Sequence, residues 1–230
     1  MDPRTSASLR VDAIAFDLDG TLIDTAPDLA TAANAMLAAL ARPPRDLDFI
    51  QASIGDGVDA LIDRLLHDGA KPTVDERRAA GVAFRDAYAR GLFVASRIYP
   101  GVVEGLTGLR ERGLPLACVT NKHSAFTVPL LEAAGLTRFL ASVHCADRPE
   151  LRKPEPALLN DAAERLGVPN ARLLCVGDSR LDVAAARAAG CPVVAVSYGY
   201  NAGRDIAEEC PDRVVGSIVD IVSMVCSARA

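Results

Sequence analysis

The sequence lacks the features of a membrane or secreted protein. Half of its 230 residues are hydrophobic, yet no apolar run is long enough to span a bilayer. The opening segment, MDPRTSASLR, contains no apolar stretch of the kind that a secretory signal has. We therefore expect a cytoplasmic protein that has no membrane as a partner.

Excess positive charge and closely spaced cysteines are lacking as well. The formal net charge is −5, which argues against nucleic acid as a main partner. It is compatible with an anionic small molecule, because such a molecule responds to the local field rather than to the total charge. None of the six cysteines forms a C-x-x-C pair, so we expect reduced thiols and neither a zinc site nor a disulfide framework.

What the sequence does contain begins with an acidic loop in residues 11–24, VDAIAFDLDGTLID. An apolar run stops there at Asp17 and Asp19, a pattern typical of a buried strand that feeds a loop. Two carboxylates so placed repel each other, and burial disfavours their charged forms. A divalent cation relieves both costs, because hard cations prefer oxygen ligands. Gly20 permits a sharp bend, and the Thr21 hydroxyl can contact an anion.

The rest of the chain shows two patterns. Residues 26–92 are largely helical. After residue 98, helix patterns alternate with strand patterns, which lie at 115–120, 141–146, 173–177, 192–197 and 213–217. This alternation predicts an α/β protein with a doubly wound, Rossmann-like parallel sheet. We assign residues 1–23 and 93–230 to that core, residues 24–92 to a helical cap domain inserted after the first strand, and residues 1–10 to a frayed lead-in.

Polar side chains follow two of the predicted strands, at the edge where such a sheet gathers its active groups. Thr120 and Asn121 end one strand, just before a helix N-terminus whose free N–H groups can bind phosphate. The alternative is a plain helix cap. Lys153 precedes Pro154, which holds it in extended backbone and so fixes its direction. Its alternative is an exposed loop lysine.

A further apolar strand ends at Asp178, and Asp182 follows four residues later. That spacing places the two carboxylates about one helical turn apart, on the same side. Asp178 would bind a metal ion directly, and Asp182 would bind it or orient a metal-bound water. The alternative for Asp182 is a cap at the start of the helix.

Together these stretches resemble the four motifs of the haloacid-dehalogenase superfamily, whose members mostly transfer phosphoryl groups. D-L-D-G-T-L at 17–22 matches the first motif, Thr120 the second, K-P-E-P at 153–156 the third and G-D-S-R-L-D at 177–182 the fourth. The resemblance implies a helical cap beside the active site and Mg²⁺-dependent hydrolysis of a small-molecule phosphate ester.

The resemblance also implies a role for each matching residue. Asp17 would be the nucleophile that forms an aspartyl-phosphate, and Asp19 the general acid and base. Thr120 and Lys153 would complete the catalytic set, with Lys153 offsetting the repulsion between carboxylate and phosphate. The metal ion would be held by Asp17, the Asp19 carbonyl group and Asp178. Phosphate-binding or supporting roles would belong to Gly20, Thr21, Asn121, Ser179 and Asp182.

Substrate specificity is expected from the cap, since the four motifs contact only the phosphate. The candidates are Gly55 and Gly57, which permit a close backbone approach, and Arg64, which can meet a substrate carboxylate. The alternatives are an ordinary turn before a helix and a surface arginine.

The order of these and further motifs, among them Y-P-G-V, V-T-N-K and Y-G-Y-N, is similar to that of bacterial phosphoglycolate phosphatases over most of residues 11–222. That resemblance implies hydrolysis of 2-phosphoglycolate to glycolate and phosphate, in a salvage role. His123 and Leu181 depart from the frequent residues of that group without touching a catalytic position. The alternatives are a related phosphatase or phosphomutase acting on pyrophosphate or a sugar phosphate, or a non-catalytic binding module. We expect a monomer or a homodimer.

Overall fold

The computed structural model describes residues 8–67, 69 and 72–227, and within them strands and helices alternate from residue 97 onward. The strands are β1 (Leu9–Val11), β2 (Ala13–Phe16), β3 (Ile23–Asp24), β4 (Arg97–Ile98), β5 (Leu116–Thr120), β6 (Ser142–Cys145), β7 (Leu173–Gly177), β8 (Val193–Val196), β9 (Arg213–Val215) and β10 (Val225–Ser227). The α-helices are α1 (Ala26–Ala39), α2 (Leu47–Ala52), α3 (Val58–Leu66), α4 (Val74–Arg90), α5 (Val102–Glu111), α6 (Ser124–Ala133), α7 (Ala157–Leu166), α8 (Arg180–Ala189) and α9 (Ile218–Met224). Among the helices within those ranges, none has both the length and the apolar character needed to cross a bilayer.

Six strands form one parallel sheet in the order β6-β5-β2-β7-β8-β9. Every residue of β2, β5, β7 and β8 is buried, as is typical of strands that are covered on both faces. Helices α5, α6 and α9 contribute Leu106, Leu130 and Ile218 to the apolar cluster on one face. Helices α7 and α8 contribute Leu159 and Ala185 to the cluster on the other. The predicted α/β fold with a doubly wound parallel sheet is therefore confirmed.

Some short elements differ from the sequence prediction. The lead-in was predicted to be frayed, but residues 9–11 form β1, which pairs in parallel with β10. The first seven residues of that lead-in lie outside the described residues. The sequence pattern also does not predict α2 or α9, because helices of six and seven residues hold too few turns to show an apolar period.

Helices α1 to α4 occupy the chain between β3 and β4, the region predicted as the cap. They share an apolar core that includes Leu37, Ile50, Leu65 and Phe84. Strands β3 and β4 pair antiparallel, with Ile23 opposite Ile98, so the chain leaves the core and returns to it at adjacent points. The residue limits of the two domains stay a prediction.

A buried carboxylate at the start of α1 holds the returning chain in place. Asp28 accepts hydrogen bonds from the backbone N–H groups of Val94, Ala95 and Ser96 at 2.7–2.9 Å, and from the Ser96 hydroxyl at 2.6 Å. Burial by itself raises the pKa of Asp28, but these hydrogen bonds outweigh it and lower that pKa below its ordinary value. The carboxylate therefore joins the first cap helix to the chain segment that leaves the cap.

Replacing Asp28 by asparagine is expected to lower the free energy of unfolding at pH 7 by about 1.5–3 kcal/mol, the range for a hydrogen bond to a charged group. Because the pKa of Asp28 is lowered by folding, its contribution is present above the unfolded pKa of about 4 and is lost as the pH falls below it. Urea unfolding at pH 7 and at lower pH measures both effects. Asp86→Asn, at an exposed position of α4, is the control. An equal loss of stability in both variants would contradict this role.

Candidate active site

Three loops meet at the carboxyl edge of the sheet, because their strands are neighbours in register. Strand β2 lies between β5 and β7, with Phe16 opposite both Cys118 and Val176. Asp17 therefore follows β2 at the level where Thr120 ends β5 and Asp178 follows β7. The structure thus brings Asp17 close to two residues that lie more than 100 positions later in the chain.

Three carboxylates converge at this edge. Ligand oxygens of Asp17, Asp178 and Asp182 lie within 4.8 Å of one another. The Lys153 ammonium group lies 2.8 Å from Asp17 Oδ1 and 2.6 Å from Asp182 Oδ1, and it donates to the Val119 carbonyl oxygen at 3.1 Å. Only 4% of the Lys153 side chain is exposed. One buried cation therefore faces two buried acids and the partly buried Asp17, which leaves an excess of negative charge when all three are ionised.

The pKa values reflect that excess. Burial raises the pKa of Asp17 to about 7, although the Lys153 charge acts in the opposite direction. Burial, together with the charges of Asp182 and Asp17, raises the pKa of Asp178 well above its ordinary value. Burial lowers the pKa of Lys153, but Asp17 and Asp182 outweigh it and raise that pKa above its usual range. A second cation would stabilise the ionised forms of the two raised acids.

The donor set fits a hard divalent cation. The converging ligand atoms are all carboxylate oxygens, which Mg²⁺ and similar ions prefer over softer ligands. Asp182 already accepts hydrogen bonds from Lys153 and from the backbone N–H and hydroxyl of Ser179. The bonds between Ser179 and Asp182 also cap α8. Asp182 therefore has both roles: it caps this helix, which was one of its predicted alternatives, and it contacts the acid cluster. Asp17 and Asp178 are the better placed direct ligands.

Asp178 is held in a fixed orientation from two sides. Its Oδ1 accepts a hydrogen bond from the Thr21 hydroxyl, and its Oδ2 accepts one from the backbone N–H of Tyr200, both at 2.7 Å. The Thr21 hydroxyl is thus engaged with a carboxylate. Gly20 has a φ of +87°, and a Cβ atom there would collide with the Asp178 carboxylate. A glycine is required at this point of the loop for both reasons.

Asp19 points away from the acid cluster toward a separate set of partners. Its two carboxylate oxygens each lie 2.9 Å from the Lys122 ammonium group. Oδ1 also accepts a hydrogen bond from the hydroxyl of Thr25, the residue that precedes α1, at 2.7 Å. The side chain of Asp19 therefore contacts the point at which the chain enters the cap.

Asn121 connects three parts of the site. Its Oδ1 accepts a hydrogen bond from the Lys153 N–H at 2.7 Å, and its Nδ2 donates to the carbonyl oxygens of Lys153 at 3.1 Å and Gly55 at 3.0 Å. Thr120 accepts a hydrogen bond from the Lys122 N–H at 3.2 Å, in keeping with a turn before α6. Asn121 therefore positions Lys153 and also holds the cap loop that carries Gly55.

The cap loop forms the roof of a cavity of about 290 Å³. In the cap loop, the φ angles of +122° at Gly55 and +90° at Gly57 favour glycine. Gly57 lies directly over the Arg152 side chain. Arg152 is half-buried and forms an ion pair with Asp59 of α3 at 2.9 Å. Arg64 donates to the Ser53 carbonyl oxygen at 2.8 Å and to the Asp56 carboxylate. The residues lining the cavity include Asp17, Asp19, Gly55, Gly57, Arg64, Thr120, Asn121, Lys122, Lys153, Asp178 and Ser179.

Sequence reasoning assigned no role to three residues that hold this site together. Lys122 and Thr25 contact Asp19, and in the sequence Lys122 directly follows Asn121 while Thr25 lies four residues after Thr21. The Tyr200 hydroxyl accepts hydrogen bonds from the backbone N–H groups of Thr25 and Ala26 and donates to Asp24 at 2.5 Å. The available signal was the Y-G-Y-N sequence, whose alternative was an aromatic loop packed on the core.

Comparison with known proteins shows which family this chain resembles in sequence. The sequence model of the haloacid dehalogenase-like hydrolases matches residues 11–190. A phosphoglycolate phosphatase of Nitrosospira multiformis is 46% identical over 220 residues, which cover 94% of this chain and 96% of the relative. A phosphoglycolate phosphatase of Thiobacillus denitrificans is 44% identical over 225 residues, which cover 97% of this chain and 99% of the relative.

A solved structure shows the same arrangement. A crystal structure described as a predicted phosphoglycolate phosphatase from Haemophilus somnus superposes with a TM-score of 0.87 at 35% identity, covering 93% of this chain and 97% of that one. The fold, the acidic strand ends and these matches define a hydrolase built on a parallel α/β sheet. The chain belongs to the haloacid dehalogenase-like hydrolase family, as the four motifs indicated. Within that family it is a phosphatase.

Proposed function

We propose that this phosphatase hydrolyses 2-phosphoglycolate to glycolate and phosphate, through an aspartyl-phosphate on Asp17 and with Mg²⁺ as its cofactor. The observation that carries the mechanism is the position of Asp17 on the cavity wall. One oxygen of Asp17 lies 2.8 Å from the Lys153 ammonium nitrogen. A carboxylate oxygen of Asp17 also lies within 4.8 Å of carboxylate oxygens of Asp178 and Asp182. A carboxylate in this setting has a cation to offset the repulsion of an incoming phosphate.

The chemistry assigned to the chain runs in two steps. In the first, an Asp17 oxygen forms a bond to phosphorus while the ester P–O bond breaks, and Asp19 gives its proton to the leaving oxygen. In the second, Asp19 takes a proton from water, whose oxygen attacks phosphorus and releases phosphate and the Asp17 carboxylate. Thr120 lines the cavity and would bind a phosphate oxygen. The predicted contribution of the start of α6 is not supported, because the N–H groups of Ser124 and Ala125 already donate to Asp147 and His123.

The side chains of Asp17 and Asp178 and the main-chain carbonyl group of Asp19 would hold Mg²⁺, with Asp182 as a supporting residue. The ion would supply charge neutralisation at the phosphoryl group. The raised pKa values of Asp17 and Asp178 support this assignment, because each acid needs a nearby cation to be ionised at neutral pH.

The size of the cavity and its charged residues support a small substrate that carries two anionic groups. A volume of about 290 Å³ is at the small end of the range for ligand pockets. Arg64 of the cap lines the cavity, where it can bind a carboxylate in addition to its contact with Asp56. The relatives at 44–46% identity are named for the same substrate. A phosphate ester that carries a carboxylate satisfies both the phosphate site and this arginine.

Phosphate release from 2-phosphoglycolate, glycolytic and sugar phosphates and pyrophosphate tests the proposal, with Mg²⁺ and with EDTA. We expect 2-phosphoglycolate to be preferred by about 10²-fold or more in kcat/KM, because a phosphate without a carboxylate lacks the contact with Arg64 and a larger ester exceeds the small cavity. EDTA is expected to abolish release, and added Mg²⁺, Mn²⁺ or Co²⁺ to restore it to different extents. A different preferred substrate would contradict the substrate assignment alone. Undiminished release in EDTA would contradict the role of the metal.

A further inference from the structure

Lys122 is a buried cation without a role in the chemistry described above. Only 4% of its side chain is exposed, and its ammonium group lies 2.9 Å from both oxygens of Asp19. It follows Thr120 and Asn121 at the end of β5, so its backbone is fixed by the same turn that forms the phosphate site. A lysine held this close to a single carboxylate restricts the rotation of that carboxylate.

Lys122 has different partners from Lys153, the other buried lysine of the site. The ring of Tyr88, in the last turn of α4, has its centroid 4.9 Å from the Lys122 ammonium nitrogen. Tyr88 is itself buried and packs against Phe126 of the core, with ring centroids 5.2 Å apart. An ammonium group has three N–H donors, and here they face two carboxylate oxygens and an aromatic ring. The ammonium group of Lys122 therefore faces Asp19 and the cap, whereas that of Lys153 contacts Asp17.

We propose that Lys122 is a positioning residue for Asp19, which it holds in place for proton transfer to the leaving group, and that it does not bind the phosphate. This inference rests on the role proposed above for Asp19. Through its contact with Tyr88, Lys122 also packs against α4 of the cap. The cap therefore covers the lysine that positions Asp19. Loss of Lys122 would slow both proton transfers by Asp19, to the leaving group and from the attacking water, and would spare the attack by Asp17. Only the first transfer depends on the leaving group, and it enters kcat/KM, whereas the hydrolysis of the aspartyl-phosphate is common to all substrates and enters kcat alone.

The identity of the leaving group provides the test. An alkyl phosphate such as 2-phosphoglycolate needs a proton on its leaving alkoxide, whereas p-nitrophenyl phosphate releases a stable phenolate that needs none. For Lys122→Met we expect kcat/KM with 2-phosphoglycolate, or with the alkyl phosphate that the panel ranks first, to fall by about 10²-fold. The fall with p-nitrophenyl phosphate is expected to be at least about tenfold smaller. A slower hydrolysis of the aspartyl-phosphate would lower kcat with both substrates alike and would leave the ratio of the two kcat/KM values unchanged.

Two further variants make the result specific. Lys122→Arg keeps the positive charge and is expected to recover part of the loss with the alkyl phosphate. Arg152→Met removes a cation that contacts the cap through Asp59 but has no contact with Asp19, so it is expected to show no difference between the two leaving groups. The comparison of two substrates in one preparation does not depend on how much of a variant is folded.

The alternative outcomes separate this inference from the proposed function. An equal loss of kcat/KM with both substrates would overturn the positioning role while the wild type stays active. Wild-type protein that releases no phosphate from either substrate, or a D17N variant with full activity, would contradict the proposed mechanism and this inference together. A selective loss in Lys122→Met with partial recovery in Lys122→Arg would establish the role.

Discussion

Replacing Asp17 by asparagine is expected to lower the rate of phosphate release on the order of 10⁴-fold or more, the loss found when a covalent hydrolase is deprived of its nucleophile. Asparagine preserves the shape of the side chain, but its amide cannot form the aspartyl-phosphate. Initial rates with 2-phosphoglycolate and Mg²⁺ measure the effect, with Asp86→Asn as the control for loss of an exposed carboxylate. Residual activity within tenfold of the wild type would exclude Asp17 as the nucleophile.

The same substitution is expected to leave the fold intact and to raise the thermal unfolding temperature at neutral pH in EDTA. Burial raises the folded-state pKa of Asp17 to about 7, against an unfolded value of about 4. Its ionisation therefore favours the unfolded state progressively as the pH rises from about 4 to about 7. The advantage of D17N over the wild type should grow over that interval, as followed by circular dichroism. An unfolded D17N protein would make its loss of activity uninformative about the nucleophile.

Replacing Lys153 by methionine is expected to lower the free energy of unfolding by about 3–5 kcal/mol, the cost of removing one partner from a buried ion pair. Lys153 lies 2.8 Å from Asp17 and 2.6 Å from Asp182, and all three side chains are at least 88% buried, with exposed fractions of 4%, 12% and 1%. Without the ammonium group, no other lysine or arginine in the part of the chain that the structure describes forms an ion pair with these two acids or with Asp178. Activity should fall as well, because the phosphate repulsion is no longer offset.

Urea unfolding in EDTA at pH 7 measures that loss of stability. Arg78→Met is a matched control, because Arg78 is 78% exposed and its pairing with Asp75 within α4 should contribute at most about 1 kcal/mol. Saturating Mg²⁺ is expected to restore part of the stability of the Lys153→Met protein, since the ion binds the acids that the lysine leaves unpaired. Equal losses in the two variants would mean that the acid cluster is not dependent on Lys153.

The strand ends were predictable because their signal is local. Asp17 and Asp178 each follow an apolar run of four or five residues, and such a run forms a buried strand in any sheet that is covered on both faces. Alternation with helices then requires the strands to be parallel, which brings Asp17, Thr120 and Asp178 to one edge. The sequence by itself therefore determined the fold class and the composition of the acid cluster, and its motifs determined the family.

Only the tertiary structure decided how those residues are held. Lys122 meets Asp19 across 103 residues of chain, and Asp28 meets Ser96 across 68 residues. No local pattern distinguishes either residue from an exposed charge on a helix or loop, because burial and partner are set by how distant segments pack. The Y-G-Y-N sequence marks a loop at Tyr200, but only the packing of distant segments shows that Tyr200 joins Asp178 to the start of the cap. Residue type and spacing therefore establish which chemistry the chain carries, and long-range packing establishes which charges support it.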